Sequence, residues 1–291
     1  MLKISFIALA ILVINFNALS QKVTGNLKFE QGQELSILMN VKTKVSQEAM
    51  GQAIDLNVDG TVAHSYKVTN TTEDNTTLNH KIQRITYTFD GMGRKQNFDS
   101  DKPKDMEGQL GKPMKELLDK TYNMIIDPSG LTMMTMPEKI ELANTDPRMM
   151  LVMGLLKDIV MTVQPPQKNE ASFFKILPDT AVGVGDSWSA ASQNESGNIK
   201  TSYTISDIND STIVVKFTET STSVTKAEMM GMETTSNLNN KTTGTIILDR
   251  ITGIMKQKNS VTDSNGTTEV MGGSLPVTSK ITTEIKVVPV K

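Results

Sequence analysis

From Glu34 to Val45 the chain alternates, with Leu35, Ile37, Met39 and Val41 on one parity and Ser36, Asn40 and Lys42 on the other. A period of two sends successive side chains to opposite faces of a pleated chain, so this run is a half-buried β-strand. The same period returns in Ile54, Leu56 and Val58, set against Asp55, Asn57 and Asp59, and again in His64, Tyr66 and Val68. Asp59-Gly60 predicts a turn or bulge, and Glu73-Asp74-Asn75 a hairpin loop. On the return, Leu78, His80 and Ile82 share one parity, whereas Ile85, Tyr87 and Phe89 occupy the other. A one-residue slip flips every side chain, which predicts a bulge near Gln83-Arg84.

Helical spacing enters with Pro113, Met114, Leu117 and Leu118, predicting a short helix over 113–120. Tyr122, Met124 and Ile126 form a strand that ends in the turn Asp127-Pro128-Ser129-Gly130, and Leu131 to Met136 returns. A longer helix is expected over 147–163, with Asp146 as N-cap and Pro147 in the first position. Met149, Val152, Met153, Leu156, Ile159, Val160 and Val163 make its stripe, but Met150, Leu151 and Leu155 lie outside it. Such a helix is sandwiched between layers or covers something apolar. Gln164 to Glu170, with Pro165-Pro166, reads as a linker. Beyond it only strands are expected: Ile199 to Ile205, a turn at Asn209-Asp210, Ile213 to Phe217, and a hairpin around Asp249–Gly253. A further hairpin turn is expected at Asn265-Gly266, and a last strand over Val277 to Val290.

Three short matches recur in order. Gly32-Gln33-Glu34-Leu35 corresponds to Gly185-Asp186-Ser187-Trp188, Ser65-Tyr66-Lys67-Val68 to Ser202-Tyr203-Thr204-Ile205, and Ile125-Ile126-Asp127 with Gly130 to Ile247-Leu248-Asp249 with Gly253. They indicate an internal repeat. The predicted architecture is mainly β: antiparallel sheets from two related modules, as a curved sheet, half-barrel or sandwich, with a helical insert between them. The first module spans 21–163 with its helices at 113–120 and 147–163, the linker 164–170, and the second module 171–291.

Residues 1–20 stand outside this scheme. One lysine, an apolar run from Ile4 to Phe16 and Ala18-Leu19-Ser20 read as a cleaved secretory signal peptide, with Gln21 the expected mature N-terminus. Export to the periplasm or medium is therefore expected, with no membrane-spanning segment in the mature chain. There is no cysteine, so disulfides and a thiol-linked lipid anchor are not expected. The net charge of −2 and the absence of a basic cluster with interleaved aromatics argue against a nucleic-acid partner.

The Gly185-Asp186-Ser187-Trp188 motif follows Leu177-Pro178 and Val182-Gly183-Val184, and Ala49-Met50-Gly51, Asp99-Ser100 and an Asp-x-x-Gly hairpin precede it. In these motifs the chain resembles a family of uncharacterised exported proteins and lipoproteins of Bacteroidota, a domain of unknown function. The resemblance implies a cell-envelope β protein with no established activity. This chain departs from the lipoprotein members in lacking the anchoring cysteine. Asp179-Thr180-Ala181 and Asp210-Ser211-Thr212 are similar to the O-glycosylation acceptor of that group, which would place glycans on Thr180 or Ser211.

Catalytic motifs are absent: there is no Gly-x-Ser-x-Gly, no His-Glu-x-x-His, no phosphate loop and no thiol. No catalytic residue, metal or cofactor is therefore expected. His64 and His80 share a parity and should sit diagonally on adjacent strands; they read as core-face residues rather than ligands. Asp99-Ser100-Asp101 with Asp105 reads as a solvated acidic loop. Met133-Met134-Thr135-Met136 and Met229-Met230-Gly231-Met232 resemble thioether donor sets, yet Met134 and Met136 are expected to face the core. Two binding readings remain. In one, Met149, Val152, Met153, Leu156 and Trp188 hold an apolar ligand such as a lipid or acyl chain. In the other, exposed Thr-rich strands contact an envelope protein or a polysaccharide.

Overall fold

The computed structural model describes residues 21–49, 52–91, 93–108, 111–136, 162–194, 197–229, 232–270 and 273–290. The first half of the chain supplies β1 (Glu34–Ala49), β2 (Gln52–Thr71), β3 (Thr76–Gly91), β4 (Arg94–Asp99), β5 (Thr121–Ile126) and β6 (Thr132–Met136). Two short helices, α1 (Pro103–Met106) and α2 (Gly111–Asp119), lie between β4 and β5. The second half supplies β7 (Ser187–Asn194), β8 (Gly197–Ile208), β9 (Thr212–Met229), β10 (Met232–Asp249), β11 (Met255–Val270) and β12 (Gly273–Pro289). All twelve belong to one antiparallel sheet, in the order β6-β5-β3-β2-β1-β12-β11-β10-β9-β8-β7 with β4 also on β3. The second half is a meander, the first departs from one in that β4 and β5 both pair with β3, and the halves join where β1 pairs with β12 from Leu35↔Pro289 to Gln47↔Val277.

Strand β3 is long enough to carry two partners on one side. Its first residues, Thr76–Lys81, pair with β5, and Thr86–Gly91 pair with β4. The parity change between Ile82 and Ile85 is a bulge: Ala63 pairs with Arg84 and His64 with Ile82, leaving Gln83 as the extra residue. Two other turn expectations fail. Asp59-Gly60 lies inside β2, where Gly60 pairs with Val41 and Tyr87. Asn265-Gly266 lies inside β11, where Gly266 pairs with Leu238 and Val277. A Cβ on Gly266 would run into the backbone carbonyl of Asn237, so this glycine permits close strand approach rather than a reversal.

The repeated motifs are built alike. Gly32, at φ +80, donates its N–H to the Val68 carbonyl, and Val68 donates to Gln33. Gly185, at φ +90, donates to Ile205, and Ile205 donates to Asp186. In the Asp127 turn Gly130 donates to Asp127 O; in the Asp249 turn Gly253 donates to Asp249 O. The segment after Val23 threads between these last two turns: Leu27 N–H reaches Pro128 O at 2.7 Å, and Lys28 N–H reaches Thr252 O at 2.9 Å.

The core occupies one end of one sheet face. Leu35, Ile37, Met39, Tyr66, Ile82, Ile205, Val215, Ile246 and Ile285 are buried there. Residues 162–182 lie over it as a strap, with Val163, Gln164, Phe174, Leu177 and Val182 buried. Phe174 makes edge contacts with Phe29 (5.3 Å) and Tyr66 (5.2 Å), tying strap, N-terminal segment and sheet together. Helix α2 begins at Gly111, two residues before the expected Pro113, and buries Met114 and Leu117. The expected helix over 147–163 falls outside the described residues up to 161; Thr162 and Val163 form a turn.

Candidate functional site

Of the proposed ligand-binding residues, Met149, Val152, Met153 and Leu156 lie outside the described residues, so only Trp188 can be placed. It sits half-buried on the edge strand β7, stacked on Tyr203 at 5.3 Å and 15°. Tyr203 leads to Phe217 at 6.2 Å, an aromatic ladder across β7, β8 and β9. Gly244, opposite Phe217 on β10, leaves room for that ring: a Cβ there would meet two of its carbons. Lys258 on β11 places its Nζ 4.9 Å from the centre of the Phe217 ring, and burial pulls its pKa down while Glu219 pushes it up.

His64 and His80 are diagonal neighbours, as their parity predicts, since His64 pairs with Ile82 and His80 with Tyr66. Their rings meet with Nδ1 of His64 3.0 Å from Nε2 of His80. Both imidazoles are fully buried, and His64 Nε2 and His80 Nδ1 have no hydrogen-bond partner among the described residues. Burial holds the His64 pKa down at about 3, and burial first, then the repulsion two charged imidazoles would suffer, holds that of His80 well below the usual value. Tyr66 closes the cluster by donating to Val163 O at 2.6 Å, and burial pushes its own pKa up. Two neutral imidazoles meet here through a single N–H, one ring donating and the other accepting. Among the described residues no group of three or more His, Cys, Asp or Glu is placed to hold a metal.

The acidic loop is tied up internally. Arg84 reaches both carboxylate oxygens of Asp99 (3.1 and 2.9 Å) and Asp101 at 2.9 Å, while Asp105 accepts the Asp99 N–H. In β6 the expected facing is reversed. Thr132 and Thr135 are buried and Met133, Met134 and Met136 exposed, because a register shift at Ile125/Ile126 re-phases the edge strand.

The remaining concavity is polar and faces away from the core. A cleft of about 690 Å³ crosses β7 to β11, lined by Ala191, Asn198, Lys200, Thr220, Lys241 and Asn265 among others. Its lining includes four asparagines, four Ser or Thr residues, two lysines and no carboxylate. Lys200 pairs with Thr220 and Thr220 with Lys241, so both ammonium groups project from one cross-strand row. Neither lysine has an ion-pair partner among the described residues. Asp263, opposite Lys241, instead engages Lys280 at 3.7 Å.

A family of unknown function, DUF6263, matches residues 167–255. That span holds the strap from residue 167 onward and β7 to β10, and with them most of the cleft. No curated protein matches the sequence. Among solved structures, lipovitellin (studied for its lipid–protein interactions) is similar over 90% of this chain and 26% of its own, at 11% identity and a TM-score of 0.45. An outer membrane channel from Pseudomonas putida F1 is similar over 90% and 98%, at 7% identity and a TM-score of 0.27. The chain thus spans about a quarter of the lipovitellin chain. Likeness at this level identifies no activity.

Sequence reasoning missed the cleft because its residues are ordinary solvent-facing positions one at a time. Only cross-strand register gathers Lys200, Thr220 and Lys241 into one row.

Proposed function

We propose that this is a non-catalytic binding protein of the cell envelope whose outward polar sheet face contacts a polysaccharide. The observation that carries this reading is the cleft of about 690 Å³, lined by amides and hydroxyls. Protein-binding patches concentrate Trp, Tyr, Met and Arg at their centres and are depleted in Lys and Ser. The cleft has the opposite composition, and its side-chain amides and hydroxyls suit the paired donors and acceptors of a polyol. The apolar side of the sheet is a poorer candidate among the described residues, since the strap fills it. An apolar ligand keeps one observation in its favour, the broad apolar stripe of residues 147–163 in the sequence. Native affinity electrophoresis of the full chain through gels containing polysaccharides tests the first reading. Retarded migration supports it. Unretarded migration in every polysaccharide gel, with a stoichiometric lipid in the extracted protein, would replace it with the second.

A further inference from the structure

The cleft is one end of a longer feature. Following the register outward, Lys200 lies opposite Thr220, Thr220 opposite Lys241, Lys241 opposite Asp263, Asp263 opposite Lys280 and Lys280 opposite Lys44. This single row crosses β8, β9, β10, β11, β12 and β1, and all six side chains are exposed. It carries four lysines and one aspartate on a chain whose net charge is −2, so the positive charge is local. Adjacent strands are about 4.8 Å apart, which spaces Lys200 from Lys241, and Lys241 from Lys280, by on the order of 10 Å. That is the scale of a disaccharide, so successive lysines of the row meet every second carboxylate of a uronate chain. Thr220 stands between Lys200 and Lys241 in the same row, and Asn198, Thr222, Asn239 and Asn265 line the cleft beside that row, two residues along their strands, groups that pair with hydroxyls. No aromatic side chain lines the cleft, so stacking against the faces of neutral sugars is not what it offers.

We propose that this row is a binding track for an acidic polysaccharide, a chain of uronate or similarly charged sugars laid across the strands. Lys200 and Lys241 anchor one end in the cleft, and Lys280 and Lys44 receive the other. The proposal rests on the polysaccharide reading above and narrows it to one charge class. Exposed lysines and screened anions make the contact weak per site and dependent on ionic strength.

The test is titration calorimetry of the full chain with oligogalacturonate, with neutral dextran oligomers as the comparison, at low and at physiological salt. Three proteins are needed: the unaltered chain, K200E/K241E, and the charge-matched control K67E/K81E. Lys67 and Lys81 are exposed on β2 and β3, away from the row. The expected result is binding of oligogalacturonate that falls with added salt, weakens at least tenfold in K200E/K241E and changes less than about twofold in K67E/K81E. Equal loss in both variants would overturn the track and leave only non-specific attraction. Binding of dextran as tightly as oligogalacturonate would overturn the charge class while leaving the polysaccharide reading standing. Absence of binding to either sugar would overturn both. Tighter binding of single-stranded DNA than of oligogalacturonate would also overturn the proposal.

Discussion

Mild acid should loosen this fold through the buried histidine pair. His64 is neutral in the folded chain, with its pKa held at about 3 by burial, against an ordinary value of 6.5. A folded-state pKa below the unfolded one means full stability above 6.5, lost as pH falls toward 3, because the unfolded chain takes up the proton first. For His64 alone the loss is about 2 kcal/mol at about pH 5, and approaches about 5 kcal/mol near pH 3. His80 is shifted the same way and adds to the loss. Asp99, Asp127 and Asp249, with folded pKa values below the usual carboxylate range, lose stability only as pH falls below about 4. The assay is urea unfolding at about pH 7.5 and about pH 5, followed by fluorescence of Trp188, the only tryptophan. The control is H64L/H80L, which removes both imidazoles together and leaves no orphaned nitrogen; it should fold and keep its stability between the two pH values. If that variant loses as much stability as the unaltered chain, the histidine pair is not the acid-sensitive element and the reasoning fails.

Other expectations follow from the same packing. Phe174→Ala, which removes the ring joining strap, Phe29 and Tyr66, should cost about 3–5 kcal/mol; a loss under about 1 kcal/mol in urea unfolding would show that the strap does not hold the core. Gly244→Ala sets a Cβ against the Phe217 ring and the Asn259 carbonyl and should cost about 1–3 kcal/mol, with quenched or shifted Trp188 emission as the ladder moves. Lys258→Met should leave stability within about 1 kcal/mol, since the ammonium's gain over Phe217 is offset by its desolvation; a loss above about 2 kcal/mol would mean that the charge is needed. Asp249→Ala removes an oxygen that accepts from Ile251 N–H, Thr252 N–H and Thr252 Oγ1 and should lower the melting temperature, by about 1–2 kcal/mol of stability.

Local chemistry carried most of what could be read before the structure. Alternation located β1, β2 and β3, and the parity change at Gln83 located a bulge, because side-chain period is fixed by the backbone alone. Asp127–Gly130, Asn209-Asp210 and Asp249–Gly253 are turns because their side chains satisfy neighbouring backbone N–H groups. Asn265-Gly266 carries the same local signal and is not a turn, because what decides it is the approach of a partner strand. A different signal marks four of the hairpins at that end of the sheet. The paired residues Ala49 and Gln52, Gly91 and Arg94, Met229 and Met232, and Val270 and Gly273 each flank the dipeptide Met-Gly. Methionine there reads as core filler in isolation, and only its recurrence before glycine, with Gly93 at φ +70, points to reversal.

The join between β1 and β12 explains why the binding row could not be read at all from the chain alone. Lys44 and Lys280 are 236 positions apart in the numbering, and they become neighbours because the two halves of the chain close on each other at the centre of the sheet. Had each half formed its own sheet, Lys200 and Lys241 would end at a free edge beside Lys280, and Lys44 would face solvent elsewhere. One continuous sheet instead sets residues of both halves in register along a single polar face. The apolar side needs only that each strand alternate, a local property. The outward face acquires meaning only when nonlocal register aligns its charges, so any function placed there is invisible until the strands are ordered.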